Sequence, residues 1–152
     1  MAWDHPDAVR LREAMVAEVG ALYSDKRAAT NRDGNSGLAP ATIVVTGLVY
    51  EGEKPVAHVA LRRLGNDVEI KRMYVIPERR GLGLSHLLLE EMEQAARFEG
   101  AKRVVLHTGS QQVAAVALYE ANGYTPIPVY GPYIGLPDSL CFEKPLESRR
   151  GL

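Results

Sequence analysis

A mixed α/β sheet, mostly antiparallel with one parallel strand pair and with helices on its faces, is the fold this sequence predicts. Three β-rich runs follow one another across short breaks: "ATIVVTGLVY" (41–50), "PVAHVALRRL" (55–64) and "DVEIKRMYVI" (67–76). The third run leads into a strongly periodic stretch, 83–99, and then into a further β-branched run, "RVVLHT" (103–108). A second helical stretch, 111–123, precedes a last apolar run near 139–144. The breaks "EGEKP" and "GND" suit hairpins, so the first three strands form an antiparallel meander. Strand, helix and strand from 67 to 108 instead require a right-handed crossover, which makes strands 67–76 and 103–108 parallel neighbours.

Each element has its own local reason. Residues 6–23 read as a helix: Pro6 fits a first helical turn, and Ala8, Leu11, Met15, Val19 and Leu22 recur at helical spacing. "SDKRAATNRDGNSG" (24–37) is polar and rich in Gly and Asn, which predicts a mobile loop. In 83–99, Leu84, Leu87, Leu88, Met92 and Ala95 form an apolar stripe, with Glu90, Glu91, Glu93 and Gln94 largely opposite and Gly100 as the stop. Helix 111–123 ends at Asn122–Gly123, and a loop rich in Pro, Gly and Tyr leads to the last strand. No repeat or linker interrupts residues 38–147, so one domain over 1–152 is predicted, with 146–152 as a tail.

Composition removes several classes of function. With 152 residues and 46% hydrophobic content the chain can build one core. A net charge of −1 with no Lys/Arg block gives no electrostatic footprint for nucleic acid. No apolar stretch approaches the ~18 residues of a membrane span, and the start "MAWDHPDAVR" lacks a basic segment followed by an apolar one. A cytoplasmic protein is expected. Cys141 is the single cysteine, so no internal disulfide can form; its setting in "SLCFEK" reads as a buried strand residue. No metal site is expected.

The segment "YVIPERRGLGLSHLLLEEM" (74–92) carries the chemistry. A helix entered through glycines presents unpaired backbone N–H groups and the positive end of its dipole. Gly81 and Gly83 allow close backbone approach, Ser85 adds a hydroxyl, and Arg79 and Arg80 add forked cationic donors, a set suited to a pyrophosphate. A P-loop does not fit, because Leu84 and Ser85 follow Gly83 where Lys and Ser/Thr are needed. A dinucleotide fingerprint does not fit either: it needs a third glycine and an acidic residue closing the next strand, which ends in His107–Thr108. A tight corner with solvated arginines remains the plain alternative at this level.

"VEIKRMYVIPERRGLGLSHLLLEEM" resembles the central motif of the GNAT superfamily of N-acetyltransferases: a strand, then Arg/Gln-x-x-Gly-x-Gly/Ala, then a helix. Here the motif reads Arg80-Gly81-Leu82-Gly83-Leu84-Ser85. A second family motif appears as "AVALYEANGY", with Leu118, Tyr119, Gly123 and Tyr124 in place, and the similarity spans about residues 8–145. Three positions depart from the pattern. Ser85 replaces Gly or Ala, and Gln112 stands where many members have Asn. The first family strand shrinks to Met1–Trp3, leaving an edge that is either open or completed by a partner, as in a homodimer.

The resemblance implies acetyl-CoA as acyl donor, held in a splay between strands 67–76 and 103–108. Met73, Tyr74 and Val75 would line its pantetheine. Arg79, Arg80, Gly81, Leu82, Gly83, Leu84 and Ser85 would hold the pyrophosphate, with Gln112 and Tyr119 as further contacts. Tyr119 would be the general acid, since a phenol with pKa near 10 can protonate a departing thiolate whose thiol titrates near 8.5. Glu69 stands at the strand position of the general base in some relatives; His107 and His58 compete for that role. The acceptor would enter between loop 24–37 and "PVYGPYIGLPDS", meeting Tyr130, Tyr133, His107 and Arg72. One cation each from Arg62–Arg63 and Lys71–Arg72 would bind an acceptor carboxylate. The implied activity is acetyl transfer to a small amine, amino-acid-like or other, by direct attack in a ternary complex. A non-catalytic acyl-CoA sensor and a protein N-acetyltransferase are the alternatives.

Overall fold

The computed structural model describes residues 2–21 and 38–146. The expected end of the first helix at 22–23, the loop 24–37 and all of the tail beyond residue 146 lie outside the described residues. Helix α1 (Pro6–Gly20) is followed by strands β1 (Ile43–Glu51), β2 (Lys54–Leu64) and β3 (Asp67–Val75). Next come helix α2 (Leu84–Phe98), strand β4 (Arg103–Gly109), helix α3 (Val113–Ala121) and strands β5 (Thr125–Ile127) and β6 (Ser139–Pro145).

These strands make one six-stranded sheet in the order β1-β2-β3-β4-β6-β5. Every neighbouring pair is antiparallel except β3 and β4, the parallel pair expected from the crossover. Residues 2–5 form no strand, so β1 is a sheet edge among the described residues. β5 was not foreseen: it is a three-residue strand at the opposite edge that pairs with β6 and contains Pro126. A proline is tolerated at an edge because no ladder bond is required of its missing N–H.

The main core lies between α2 and one face of the sheet. Leu88, Leu89, Met92 and Ala96 pack there with Val59, Leu61, Val68, Ile70, Val104, Leu106 and Phe142. Gly47 on β1 permits the close approach, since a Cβ there would stand 3.4 Å from both Met92 Cε and Val59 Cγ1. The buried face of α2 is rotated from the predicted stripe: Leu89 and Ala96 are inside, while Leu87 is 48% exposed. Glu93, expected on the solvent side, is buried, because the Tyr124 hydroxyl (2.9 Å) and Lys144 Nζ (3.0 Å) donate to its carboxylate. Pattern alone could not reveal those partners, which arrive from later elements. On the other face α1 contacts β2 and β3, and Trp3, Leu38 and Ala60 form a small second cluster.

Two irregularities in β3 shape the site. The β2–β3 register runs His58↔Tyr74 and then Ala60↔Lys71, so Arg72 and Met73 together oppose Val59. Arg72 takes φ 57, left-handed backbone for a residue with a side chain. The bulge reverses facing, and beyond it Met73 and Val75 pack against the α2 core. Meanwhile β3 pairs with β4 only from Val68–Ile70 to Val104–Leu106, although β4 continues to Gly109. From Lys71 onward the two central strands part.

Candidate active site

A cleft of about 600 Å³ lies where β3 and β4 separate. Its walls include Met73–Val75 of β3, Arg79–Gly81 and Gly83–His86 at the start of α2, Gln111–Ala115 and Leu118 around α3, and Met15, Glu18 and Val19 of α1. Gly83 at φ 82 and Gly81 at φ 80 are left-handed, and a Cβ at either would meet no atom within 4 Å. The glycines are therefore required by backbone conformation and not by crowding. Gly83 is the N-cap of α2 and Gln112 that of α3, and neither helix start receives a side-chain cap. Two helix N-termini thus present amide groups to one cleft.

The two arginines are held across its mouth. Arg80 donates from Nε to the Val75 carbonyl (2.9 Å) and from Nη2 to Glu18 (2.7 Å to Oε2), tying α1 to the end of β3. Arg79 pairs with Glu51 at the end of β1, Nε donating over 2.7 Å to Oε2. Of the cofactor contacts expected from sequence, Met73, Tyr74, Val75, Arg79, Arg80, Gly81, Gly83, Leu84, Ser85 and Gln112 all line the cleft; Leu82, 66% exposed, and Tyr119 do not. Tyr119 is buried in the core, its ring 5.8 Å from Tyr124 and 6.4 Å from Phe142, one residue from the lining Leu118. Burial pushes its hydroxyl well above the ordinary tyrosine range, so it carries its proton at neutral pH.

On the sheet face away from α2 lies a polar cluster built on Glu69, which pairs with Val105 just before the strands part. Glu69, Arg72, His107, Tyr130 and Tyr133 are not among the residues that line the cleft. The Glu69 carboxylate is fully buried and accepts from Arg62 Nε (2.7 Å), Tyr130 Oη (2.5 Å) and Tyr133 Oη (2.9 Å). Lys71 Nζ donates to the Tyr133 hydroxyl at 2.6 Å. His107 stacks on the Tyr133 ring with centroids 3.9 Å apart and planes nearly parallel at 2°, and its Nε2 lies 2.9 Å from Ser139 Oγ. Arg63, by contrast, points away to Glu99 in an exposed pair. Burial, together with the nearby Arg72 and Arg62 and against the pull of Glu69, lowers the Lys71 ammonium to about 8. The Tyr130 and Tyr133 hydroxyls are raised, first by burial and then by the Glu69 charge. Cys141 is buried on β6 and burial raises its thiol, which leaves it a packing residue.

His58 is also buried, bonded through Nδ1 to the Arg72 carbonyl (2.8 Å) and through Nε2 to Arg12 (3.1 Å). Burial, set against the Arg72 carbonyl bond, lowers it to about 4. It is a neutral structural imidazole enclosed by protein.

The model of the Acetyltransferase (GNAT) family matches residues 9–124. The chain belongs to that family. Its structure is similar to that of a Klebsiella pneumoniae protein assigned to the acyl-CoA N-acyltransferases, with a TM-score of 0.80, 30% identity, and coverage of 97% of this chain and 94% of that one. The PaiA N-acetyltransferase of Thermoplasma acidophilum, solved with coenzyme A, shares the fold at a TM-score of 0.72 and 16% identity over 91% of each chain. In sequence, this GNAT chain is 40% identical over 88 residues to the IAA acetyltransferase of Azospirillum brasilense, a match covering 58% of each protein.

The cleft of this GNAT chain fits acetyl-CoA on its own chemistry. Bare amides at two helix starts and a guanidinium at the mouth suit a diphosphate, and the stretch of β3 past Ile70 that no longer pairs with β4 suits an amide-bearing pantetheine. Sequence reasoning missed the α1 wall of Met15, Glu18 and Val19. The α1 periodicity marks Met15 and Val19 as apolar, but only tertiary packing turns them toward the cleft. It also missed that Arg62, not Arg63, joins the Glu69 cluster, a choice made by strand facing.

Proposed function

We propose that this GNAT chain transfers an acetyl group from acetyl-CoA to the primary amine of a small acceptor that also carries a carboxylate. The observation behind this reading is the cleft at the β3–β4 splay, lined by uncapped α2 and α3 starts, together with the Glu69–Tyr130–Tyr133–Lys71 cluster, whose Lys71 stands where the strands part. When bound, acetyl-CoA supplies the activated acyl group and a thiolate leaving group. Gly81, Gly83, Ser85 and Arg80 hold the phosphates, while Met73, Tyr74 and Val75 orient the pantetheine. Gly83→Val would force a β-branched residue into left-handed backbone and tilt the N–H groups away. Its affinity for coenzyme A, read by calorimetry, should fall at least tenfold. Wild-type affinity in that variant would remove the anion loop from the reading.

Lys71 is the proposed carboxylate anchor, since it stands at the first β3 position past the last β3–β4 pair and its one described hydrogen bond is to Tyr133. Arg72, His107, Tyr130 and Tyr133 form the rest of the acceptor wall. Glu69 serves as base through the Tyr133 hydroxyl: that oxygen takes the ammonium proton as its own proton passes to the carboxylate. Tyr119 returns a proton to the thiolate. The Lys71 ammonium is charged below about 8 and neutral above it, so KM for carboxylate-bearing acceptors should rise as pH passes upward through that value. Lys71→Met should remove this rise and raise the same KM at least tenfold at pH 7, with KM for acetyl-CoA unchanged. Equal KM values for an amine with and without a carboxylate, in wild type, would overturn the acceptor class.

For a second copy we propose the β1 edge, which pairs only with β2 among the described residues, as the contact. The chain's cytoplasmic setting is likewise part of this reading; among the described residues no helix is long and apolar enough to cross a membrane, and no group of metal-ligating side chains occurs.

A further inference from the structure

We propose that His58, acting with Arg12, is a positioning residue for the cofactor cleft: it pins the left-handed backbone of Arg72 and so holds β3 in the bulged register that parts it from β4. Arg72 at φ 57 carries a side chain in a conformation that costs free energy to any residue but glycine, so something must hold it there. The His58 ring does so from inside the protein. A carbonyl can only accept, so the 2.8 Å contact to the Arg72 oxygen places the proton on Nδ1. Nε2 is then an acceptor, and it faces Arg12 Nη1, which can only donate, at 3.1 Å.

Arg12 is itself anchored. Its Nη2 donates to the Trp3 carbonyl at 2.7 Å, and its guanidinium carbon stands 3.5 Å over the Trp3 ring. The Trp3 ring meets His58 edge-on at 6.0 Å. Arg12 and His58 have no exposed surface, and Trp3 is 8% exposed. A chain of donors and acceptors therefore runs from residue 3, through α1 and β2, to the Arg72 carbonyl at the bulge. Only one ring tautomer satisfies both ends, and the desolvated site keeps the imidazole neutral, which preserves it.

The consequence reaches the cleft through register. If Arg72 relaxed to ordinary extended backbone, the bulge would close and residues 73–75 would exchange faces, because side chains alternate along a strand. Met73 and Val75, which now pack toward α2 and line the cleft, would turn to the α1 side.

The functional half of this inference rests on the proposed acetyl-CoA site; the structural half does not. His58→Asn and His58→Gln separate the roles of the two ring nitrogens. The shorter amide reaches the Arg72 carbonyl as Nδ1 does, while the longer one reaches Arg12 as Nε2 does. Two readouts apply to folded protein of each variant: hydrogen exchange of the 71–75 amides, and affinity for coenzyme A. His58→Asn should keep wild-type protection and hold affinity within threefold. His58→Gln should lose protection at least tenfold across 71–75 and bind coenzyme A at least tenfold more weakly. Adding Arg72→Gly to His58→Gln should recover most of both, since glycine takes the left-handed conformation unaided. Equal protection in the two amide variants, or no recovery in the double variant, overturns the clamp. Should wild type itself fail to bind coenzyme A, the acetyl-CoA reading fails, and the exchange data still decide the clamp.

Discussion

Tyr119→Phe should lower kcat at least tenfold while affinity for coenzyme A stays within twofold. A tenfold loss corresponds to about 1.4 kcal/mol of transition-state stabilisation, and general acids commonly supply more than that. The substitution is clean in this setting. The Tyr119 ring packs in the core beside Tyr124 and Phe142, so phenylalanine fills the same space and removes only the hydroxyl. Burial raises the hydroxyl's pKa, which keeps it protonated throughout the working pH range and ready to donate. Steady-state rates with a carboxylate-bearing amine, paired with calorimetry, read both quantities. An unchanged kcat would take Tyr119 out of the proton path and leave it a core residue.

Glu69→Gln should cost both stability and rate. Glu69 and Arg62 form a buried ion pair at 2.7 Å, with side chains 0% and 9% exposed. Removing one charge strands the other in a poorly solvated place, an effect of about 3–5 kcal/mol. Urea unfolding should show the midpoint falling with an unchanged slope. Exchanging Arg62 as well, as Glu69→Gln/Arg62→Met, should recover part of the loss, because no unpaired cation then remains. Activity distinguishes the proposed relay from a purely architectural role. Measured well below the unfolding transition, kcat/KM of Glu69→Gln should fall at least thirtyfold, because an amide cannot take the proton from Tyr133. Lost stability with retained rate would assign Glu69 to the framework alone.

Much of the fold was legible because its signals are local. β-branched runs, hairpin breaks and helical spacing identified three meander strands, a crossover and the parallel pair, and those elements are present. The glycine-flanked helix start was legible for the same reason: left-handed backbone at Gly81 and Gly83 is demanded within a few residues. What escaped depended on remote partners. Glu93 looked like a solvent-facing helix residue until Tyr124 and Lys144 reached it, and β5 is too short to register except as a partner of β6. Arg12 carried no sign in the sequence that it, among the charged residues of α1, would be fully buried. His58 stood as a competing base for want of any indication that both of its nitrogens were taken.

By itself the sequence determined the order of strands and helices, the glycine entry to α2 and the family-like pairing of that entry with Tyr119, because backbone conformation and periodicity are properties of neighbouring residues. Tertiary structure alone decided which side chains are charged partners, which face the cleft and where β3 bulges. Those outcomes turn on desolvation and on hydrogen bonds between groups far apart in the chain, such as Arg12 with His58 and Glu69 with Tyr130 and Tyr133, and no short window of residues contains them.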